Sequence, residues 1–326
     1  MMMRRLDALD RELSALCLGT MNFGAELNER DSFEVMDAFD AIGGNFIDTA
    51  RIYGAWASTG MGASEKVIGA WLRARGNRDR MVIATKGGHP QPERMHEGRL
   101  DKAGLTADLE ASLRALGTDY IDLYWLHRDD TARPIEDILE TLAGFIRQGK
   151  VRAVGASNWT GARLREAWSV SFRTDLPYFC ADQPMWSMAR AEGLADATLV
   201  QMDGDLYRWH ANSRMPCVPY TAQAKGFFAK LERGGEGALS DKARARYLRE
   251  DNLRLYDAAR DIARETGLGV GTVAIAYLTN QAAFAAHPIV GVSSVAQARA
   301  LSEAADARLT EAHMARLSEL TGLIAD

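Results

Sequence analysis

Asn45-Phe46-Ile47-Asp48 is an apolar run that ends in a carboxylate. The construction recurs twice: Met81-Val82-Ile83-Ala84-Thr85-Lys86 ends in an ammonium, and Ile121-Asp122-Leu123-Tyr124-Trp125-Leu126-His127 ends in an imidazole. Just beyond Asp48, the segment Asp48-Thr49-Ala50-Arg51-Ile52-Tyr53 brings in a phenol. Charged groups are seldom buried without a partner. In a barrel of parallel strands the C-terminal strand ends converge on one face, where chemistry is done. Asp48, Tyr53, Lys86 and His127 therefore read as one site able to move a proton.

Working outward, short apolar strand candidates alternate with longer helical patterns. Leu16–Thr20 is the first strand, followed by a helix over about Asp31–Ala41. Asn45–Thr49 precedes a helix over Ser64–Arg75, and Met81–Lys86 precedes a helix starting near Thr106 with Leu109, Leu113 and Leu116 on one face. Ile121–His127 leads to a helix opened by Pro134 and ending near Gly149. Val151–Gly155, Tyr178–Gln183, Cys217–Tyr220 and Pro288–Gly291 are the later strands. Between them fall helices around Ala162–Trp168, Asp203–His210, Asn252–Thr266 and Gly271–Asn280. Such units, each helix returning to a parallel neighbour, predict an α/β fold: a closed (β/α)8 TIM barrel forming a single domain over residues 1–326. An open doubly wound sheet would need a Gly-x-Gly-x-x-Gly turn after the first strand, and Gly19-Thr20-Met21-Asn22-Phe23-Gly24 is not one. Two stretches, Gly87–Lys102 and Thr221 to about Asp241, are expected to be irregular loops on the catalytic face.

Charged residues make up 25% of the 326 and the net charge is −5, with both signs dispersed. This speaks against a nucleic-acid or membrane surface. Runs such as Arg244-Ala245-Arg246 read as solvated helix faces. Cys17, Cys180 and Cys217 lie far apart in apolar contexts, so they are expected to be buried thiols in a reduced, cytoplasmic protein. No Cys-x-x-Cys or His-x-His pair supports a metal site. The start, Met1-Met2-Met3-Arg4-Arg5, lacks a signal-peptide core.

A free tyrosine titrates near pH ~10 and is a poor proton relay at neutrality. A nearby lysine ammonium is expected to pull that value down, and an aspartate to hold the lysine charged and in place. A histidine can then hydrogen-bond the substrate oxygen or share the tyrosine proton. Together the four could protonate a carbonyl oxygen while a cofactor supplies hydride. Taken singly, each also has a structural reading: Asp48 as a turn cap, Tyr53 as a packed aromatic, Lys86 as a solvated amine, His127 as a structural histidine.

The chain resembles an aldo-keto reductase over nearly its whole length. The resemblance rests on Leu18-Gly19-Thr20-Met21, on Asn45 to Ala50 with Tyr53-Gly54, and on Gly62-Ala63-Ser64-Glu65. It continues through Ala84-Thr85-Lys86, Leu116-Gly117-Thr118-Asp119-Tyr120 into His127, and Gly149-Lys150-Val151-Arg152 to Ser157-Asn158. Trp125-Leu126-His127-Arg128-Asp129-Asp130 looks like the bacterial aryl-alcohol-dehydrogenase-like branch. The resemblance implies NADPH-dependent reduction of an aldehyde or ketone, with Tyr53 as general acid, Lys86 and Asp48 tuning it, and His127 orienting substrate. It implies a bound NADP(H) in which Ser157, Asn158 and Gln183 meet the nicotinamide carboxamide and Tyr220 stacks on its ring. Gly19, Thr20, Met21 and Asp48 border the same site by resemblance. Thr221, Ala222, Gln223, Ala224, Lys225 and Gly226 match the pyrophosphate loop, where backbone N–H groups favour anions. Gly291, Val292, Ser293, Ser294 and Gln297 match the adenosine 2′-phosphate site at a helix N-terminus.

The chain departs from the family where relatives carry Lys or Arg after Gly291 and a Glu-Asn pair further on; here stand Ser293-Ser294 and Ala300-Leu301. The preference for NADPH over NADH is thus left open, with Arg299 as a candidate charge. The chain ends at Asp326 soon after its last helix, so a long C-terminal substrate loop is not expected. The pocket is expected to be open and shaped by Trp56, Trp125, Trp186 and the Gly87–Lys102 loop, although each tryptophan taken singly reads as core, since tryptophan is mostly buried. Two other functions remain on the same residues: a slow cofactor-binding regulatory subunit resembling potassium-channel β-subunits, and a reductase dedicated to a sugar or secondary-metabolite ketone. The physiological carbonyl and the oligomeric state are left open.

Overall fold

Three of the apolar runs become strands with every residue buried: β4 Phe46–Asp48, β5 Val82–Gly87 and β6 Ile121–Leu126. Strands covered on both faces read as continuous apolar runs rather than alternating ones. The structure, a computed structural model, describes residues 1–194 and 196–323. The segment through Asp326, and with it any reading of the chain's end, lies outside the described residues.

An antiparallel hairpin comes first, β1 Met3–Leu6 and β2 Arg11–Ser14. The other strands are β3 Cys17–Gly19, β7 Val151–Ser157, β8 Asp182–Gln183 and β9 Ile289–Gly291. The parallel sheet runs β8-β7-β6-β5-β4-β3-β9. The helices are α1 Glu29–Ala41, α2 Ala63–Arg75, α3 Lys102–Leu116, α4 Ile135–Arg147, α5 Gly161–Thr174 and α6 Gly204–Ser213. They continue with α7 Phe227–Gly234, α8 Asp241–Tyr247, α9 Glu250–Thr266, α10 Val270–Thr279, α11 Val295–Asp306 and α12 Glu311–Thr321.

The expected strand Cys217–Tyr220 is present only as a bridge. Val218 N–H donates to Asp182 O at 2.8 Å, Cys217 N–H to Ala285 O at 2.8 Å, and Ile289 N–H to Pro219 O at 2.9 Å. These contacts join β8 to β9 and curl the sheet into a barrel. Pro216 and Pro219 lack the N–H a regular ladder needs, which is why no continuous strand forms there.

Two expectations need correction. Thr221–Asp241 is not an irregular loop: it contains α7, which buries Phe227, Phe228 and Leu231 on one face. The helix expected from Thr106 begins earlier, at Lys102, because the Asp101 carboxylate accepts from the N–H of Gly104 and caps it. The hairpin was not anticipated either. It inserts Leu6, Leu9 and Leu13 among Cys17, Phe46, Val82, Leu123 and Trp125. This is the barrel's interior filling, closed at the end opposite the site.

Two polar devices brace that closed end. Asp122, fully buried on β6, receives Arg78 at 2.8 Å and Arg152 at 3.2 Å, and both guanidiniums cover the Tyr120 ring at about 4 Å. His287 is fully buried, with Nδ1 2.9 Å from the carbonyl of Ser14, so that nitrogen carries the proton. Burial lowers its pKa to about 4, against the raising effect of the Ser14 bond.

A histidine whose folded pKa is depressed leaves stability intact above its unfolded value and removes it as pH falls toward the folded one. Here the window runs from about 6.5 to about 4 and spans about 3 kcal/mol. Thermal melts should show unfolding at lower temperature at pH 5 than at pH 7. The drop should be clearly smaller in His287→Asn; an equal drop in both proteins would exclude His287 as the source.

Candidate active site

The register of the sheet brings the titratable strand ends to one level. Gly19 pairs with Asp48, Asp48 with Ala84, Lys86 with Trp125, and Ser157 with Gln183. The β4 end is fixed by a knot of hydroxyls. Ser64, in the first turn of α2, donates to the carbonyl of Thr20 at 2.9 Å and lies 2.8 Å from both the Thr20 and Thr49 hydroxyls. Thr20 Oγ1 donates to the Asp48 carbonyl at 2.8 Å. These bonds tie the chain leading from Asp48 to Tyr53 against the barrel rim.

At the centre, the Lys86 ammonium bonds the Asp48 carboxylate, donates to the Thr49 carbonyl at 2.8 Å and lies 3.3 Å from the Tyr53 hydroxyl. Gln183 Nε2 donates to the other Asp48 oxygen at 3.0 Å. Both charged groups are about 98% buried. Burial disfavours the Lys86 ammonium, yet Asp48, Tyr53 and their bonds outweigh it and raise its pKa. Burial pushes the Asp48 carboxyl up, opposed by Lys86 and Gln183. The lysine direction is the firmer one, because two oxygen acceptors and a phenol oxygen converge on a single ammonium.

Tyr53 departs from expectation. Lys86 does pull its pKa down, but burial is the larger effect and the net shift is upward. The phenol is thus held protonated, with an ammonium beside it. His127 is pushed well below its ordinary value by burial, then by Arg128, His89 and Lys86. Its Nδ1 is buried without a partner. Orphaned buried N–H groups are rarer than under-satisfied acceptors, so the proton of this neutral ring belongs on Nε2, making it a donor.

The residues expected to meet a carboxamide are bonded to one another. Asn158, left-handed at φ 62°, donates from Nδ2 to His127 O at 3.2 Å and to Ser157 Oγ at 3.1 Å. Its Oδ1 accepts from Tyr220 OH at 2.6 Å and from Val200 N–H at 3.1 Å. Asn158 is therefore saturated within the protein. Ser157 Oγ donates to Gln183 O at 2.9 Å. These side chains form a brace that places Tyr220 and Gln183.

The loop after Tyr220 is strongly turned. Thr221, Ala224, Lys225 and Gly226 all have positive φ. Gln223 accepts from the N–H of Gly291 at 3.1 Å, joining this loop to the end of β9. Burial and the neighbouring charges of Arg246, Lys242 and Lys230 lower the Lys225 pKa. Among the described residues none of these four cations forms an ion pair, so the cluster fits an anionic group such as a diphosphate. Ser294 caps α11 by accepting from Gln297 N–H at 3.3 Å, and Gln297 Oε1 takes the N–H of Ser293 at 2.8 Å. Those two serines are occupied with Gln297, and Val292 is buried next to them. Met21 is exposed at the rim and Ala222 is buried.

The three tryptophans separate. Trp56 is exposed and edges Tyr53 at 6.3 Å, so it stands at the site. Trp125 and Trp186 are buried and take the core reading rather than the pocket one. Trp125 points into the barrel beneath Asp48, packed where a Cβ on Gly155 would sit 2.3 Å from its ring. Trp186 lies in an aromatic core with Tyr207, Tyr277 and Phe284.

Several neighbours escaped the sequence reading. His89 packs edge-to-face on His127 with ring centres 4.6 Å apart. Arg128 is buried, bonded to Thr198 at 2.9 Å and to Asp196 at 3.4 Å. Its charge acts on Tyr53, His127 and Tyr220. Arg128 follows His127 directly, a signal that was present. Lys230, Lys242 and Arg246 carried only the signal of ordinary helix faces.

Removing the carboxylate tests the central pair. Asp48→Asn should cost about 3 kcal/mol of stability, because a buried ammonium loses its counter-charge. Denaturant melts against Thr49→Ser as a neighbouring control would report it; a loss under about 1 kcal/mol would mean the pair is not the brace.

The chain matches the sequence model of the Aldo/keto reductase family over residues 15–321. It is 30% identical over 315 residues to the oxidoreductase YrpG of Bacillus subtilis, covering 94% of this chain and 92% of that one. It is 30% identical to an aryl-alcohol dehydrogenase (NADP+) of Phanerodontia chrysosporium, covering 94% and 82%. To the norsolorinic acid reductase stcV of Emericella nidulans it is 29% identical, covering 88% and 73%.

Proposed function

The chain belongs to the aldo/keto reductase family, and from that premise we propose that it is an NADPH-dependent reductase of aldehydes or ketones with Tyr53 as its general acid. The observation that carries the reading is the buried Asp48–Lys86 pair set against half-buried Tyr53, with the lysine 3.3 Å from a phenol whose desolvation keeps it protonated. NADPH, when bound, supplies the hydride. The protein's part is to polarise and protonate the oxygen.

In this reading His127 Nε2 donates a hydrogen bond to the carbonyl oxygen, drawing electron density toward it. Tyr53 gives its proton to that oxygen as the alcohol forms. The phenolate left behind is stabilised by Lys86, which Asp48 keeps charged. A low-dielectric setting strengthens each of these interactions relative to water. The cofactor fits the donor set as well: Lys225 with Lys230, Lys242 and Arg246 would meet the diphosphate. The strained backbone at Ala224 and Lys225 supports the same use, since non-glycine residues in this region persist where the surroundings demand them. Tyr220, held by Asn158, would face the nicotinamide ring. The 2′-phosphate would lie near Ser293, Ser294 and Gln297, with exposed Arg299 on the same helix supplying charge. Carbonyl reduction of this kind fits a cytoplasmic enzyme with a small-molecule partner.

Tyr53→Phe should lower kcat for 4-nitrobenzaldehyde reduction by about 10²- to 10⁴-fold with NADPH binding retained; equal rates in the two proteins would sink the mechanism. Cofactor titrations separate the two phosphate sites. Lys225→Ala should weaken NADPH and NADH alike, by roughly tenfold, or about 1.4 kcal/mol. Arg299→Ala should weaken NADPH only. A wild-type preference for NADH would remove the 2′-phosphate assignment.

A further inference from the structure

We infer that His89 selects substrates carrying a hydroxyl group on the carbon next to the reacting carbonyl. The inference rests on the proposed carbonyl reduction and names the class of carbonyl.

His89 lies just past the C-terminal end of β5, and its ring packs against that of His127. Its Nδ1 is 2.6 Å from the carbonyl oxygen of Pro90. A carbonyl accepts only, so Nδ1 must carry the proton. In the neutral ring Nε2 is then a bare acceptor. Burial, with Arg128 and Arg99 nearby, lowers the His89 pKa and keeps the ring in that neutral form. Among the described residues Nε2 has no protein partner and is not sealed from solvent. It is an acceptor without an assignment, at the wall of the site.

The main chain that carries the ring is also held still. The His89 carbonyl accepts from Arg99 at 2.8 Å, and Arg99 reaches Asp108 at 3.3 Å. Asp108 accepts from the N–H of Gly88 at 2.9 Å. Gly88 takes a left-handed φ of 73° with Leu100 so close that a Cβ would lie 2.4 Å from it. A group fixed before binding loses little entropy on binding.

The two imidazoles are complementary. His127 presents a donor and His89 an acceptor, in rings 4.6 Å apart at 76° to one another. A carbonyl oxygen is an acceptor and an adjacent hydroxyl is a donor, so an α-hydroxy aldehyde or ketone satisfies both. A simple alkyl analogue would leave the His89 acceptor unpaired. Sites that hydrogen-bond a substrate hydroxyl reject analogues lacking it far more strongly than apolar pockets reject small changes in size.

The test compares 2-hydroxypropanal with its methyl isostere 2-methylpropanal, NADPH oxidation being followed in wild type, His89→Phe and His89→Gln. The ratio of kcat/KM for the two aldehydes is internal to each protein, so it does not depend on the folded fraction. The expected wild-type ratio is at least tenfold in favour of the hydroxyaldehyde, carried mainly by KM. It should approach one in His89→Phe and recover in part in His89→Gln, whose amide oxygen can accept. A wild-type ratio near one, or a ratio that survives His89→Phe, overturns the inference while leaving carbonyl reduction standing. Absence of NADPH oxidation with either aldehyde and with 4-nitrobenzaldehyde would instead overturn the reductase reading, and this inference with it.

Discussion

The contact between the Lys86 ammonium and the Asp48 carboxylate is what the site depends on. Two charges taken out of water cost several kcal/mol each unless geometry and further hydrogen bonds return the loss. Here the remaining valences are met: Lys86 also has the Thr49 carbonyl and the Tyr53 hydroxyl, and Asp48 has Gln183. The pair is weak evidence of stability but strong evidence of use. It places a fixed positive charge against a phenol in a nearly dry space, where a tyrosine alone would have no reason to give up its proton.

Around the pair, polar side chains work mostly on one another. Asn158 spends all four of its hydrogen bonds on Ser157, His127, Val200 and Tyr220. The Thr20–Thr49–Ser64 hydroxyls do the same for the strand end before Tyr53. Such satisfied networks hold reacting groups in one geometry. The closed end of the barrel is braced separately, by the Leu6–Leu9–Leu13 plug and the Asp122 ion pairs, far from the chemistry. The closed end thus has a brace of its own, on the face opposite the chemistry.

Much of the fold was legible in order along the chain. Buried parallel strands need continuous apolar residues, and those at Phe46–Asp48, Val82–Gly87 and Ile121–Leu126 stand out from amphipathic helices by length and period. The least legible parts were those whose structure depends on distant partners. The N-terminal hairpin reads as strands only once a barrel interior exists to receive its leucines. The α7 segment, set among glycines, becomes a helix because Phe227, Phe228 and Leu231 find a surface. Pro216 and Pro219 interrupt a strand that hydrophobicity alone would draw whole.

The residue types at the strand ends, Asp48, Tyr53, Lys86 and His127, were set by the chain itself, and with them the capacity for proton transfer. Local order alone suffices for that, because a strand carries its end residue wherever the barrel closes. Distances and protonation were another matter. That Tyr53 is raised rather than lowered follows from how much of the half-buried phenol the fold covers, a quantity no spacing encodes. That Trp125 and Trp186 are core, and that His89 meets His127, follows from which side chains the closed barrel presses together. Burial and proximity belong to the folded surface as a whole, so only the tertiary structure could decide them.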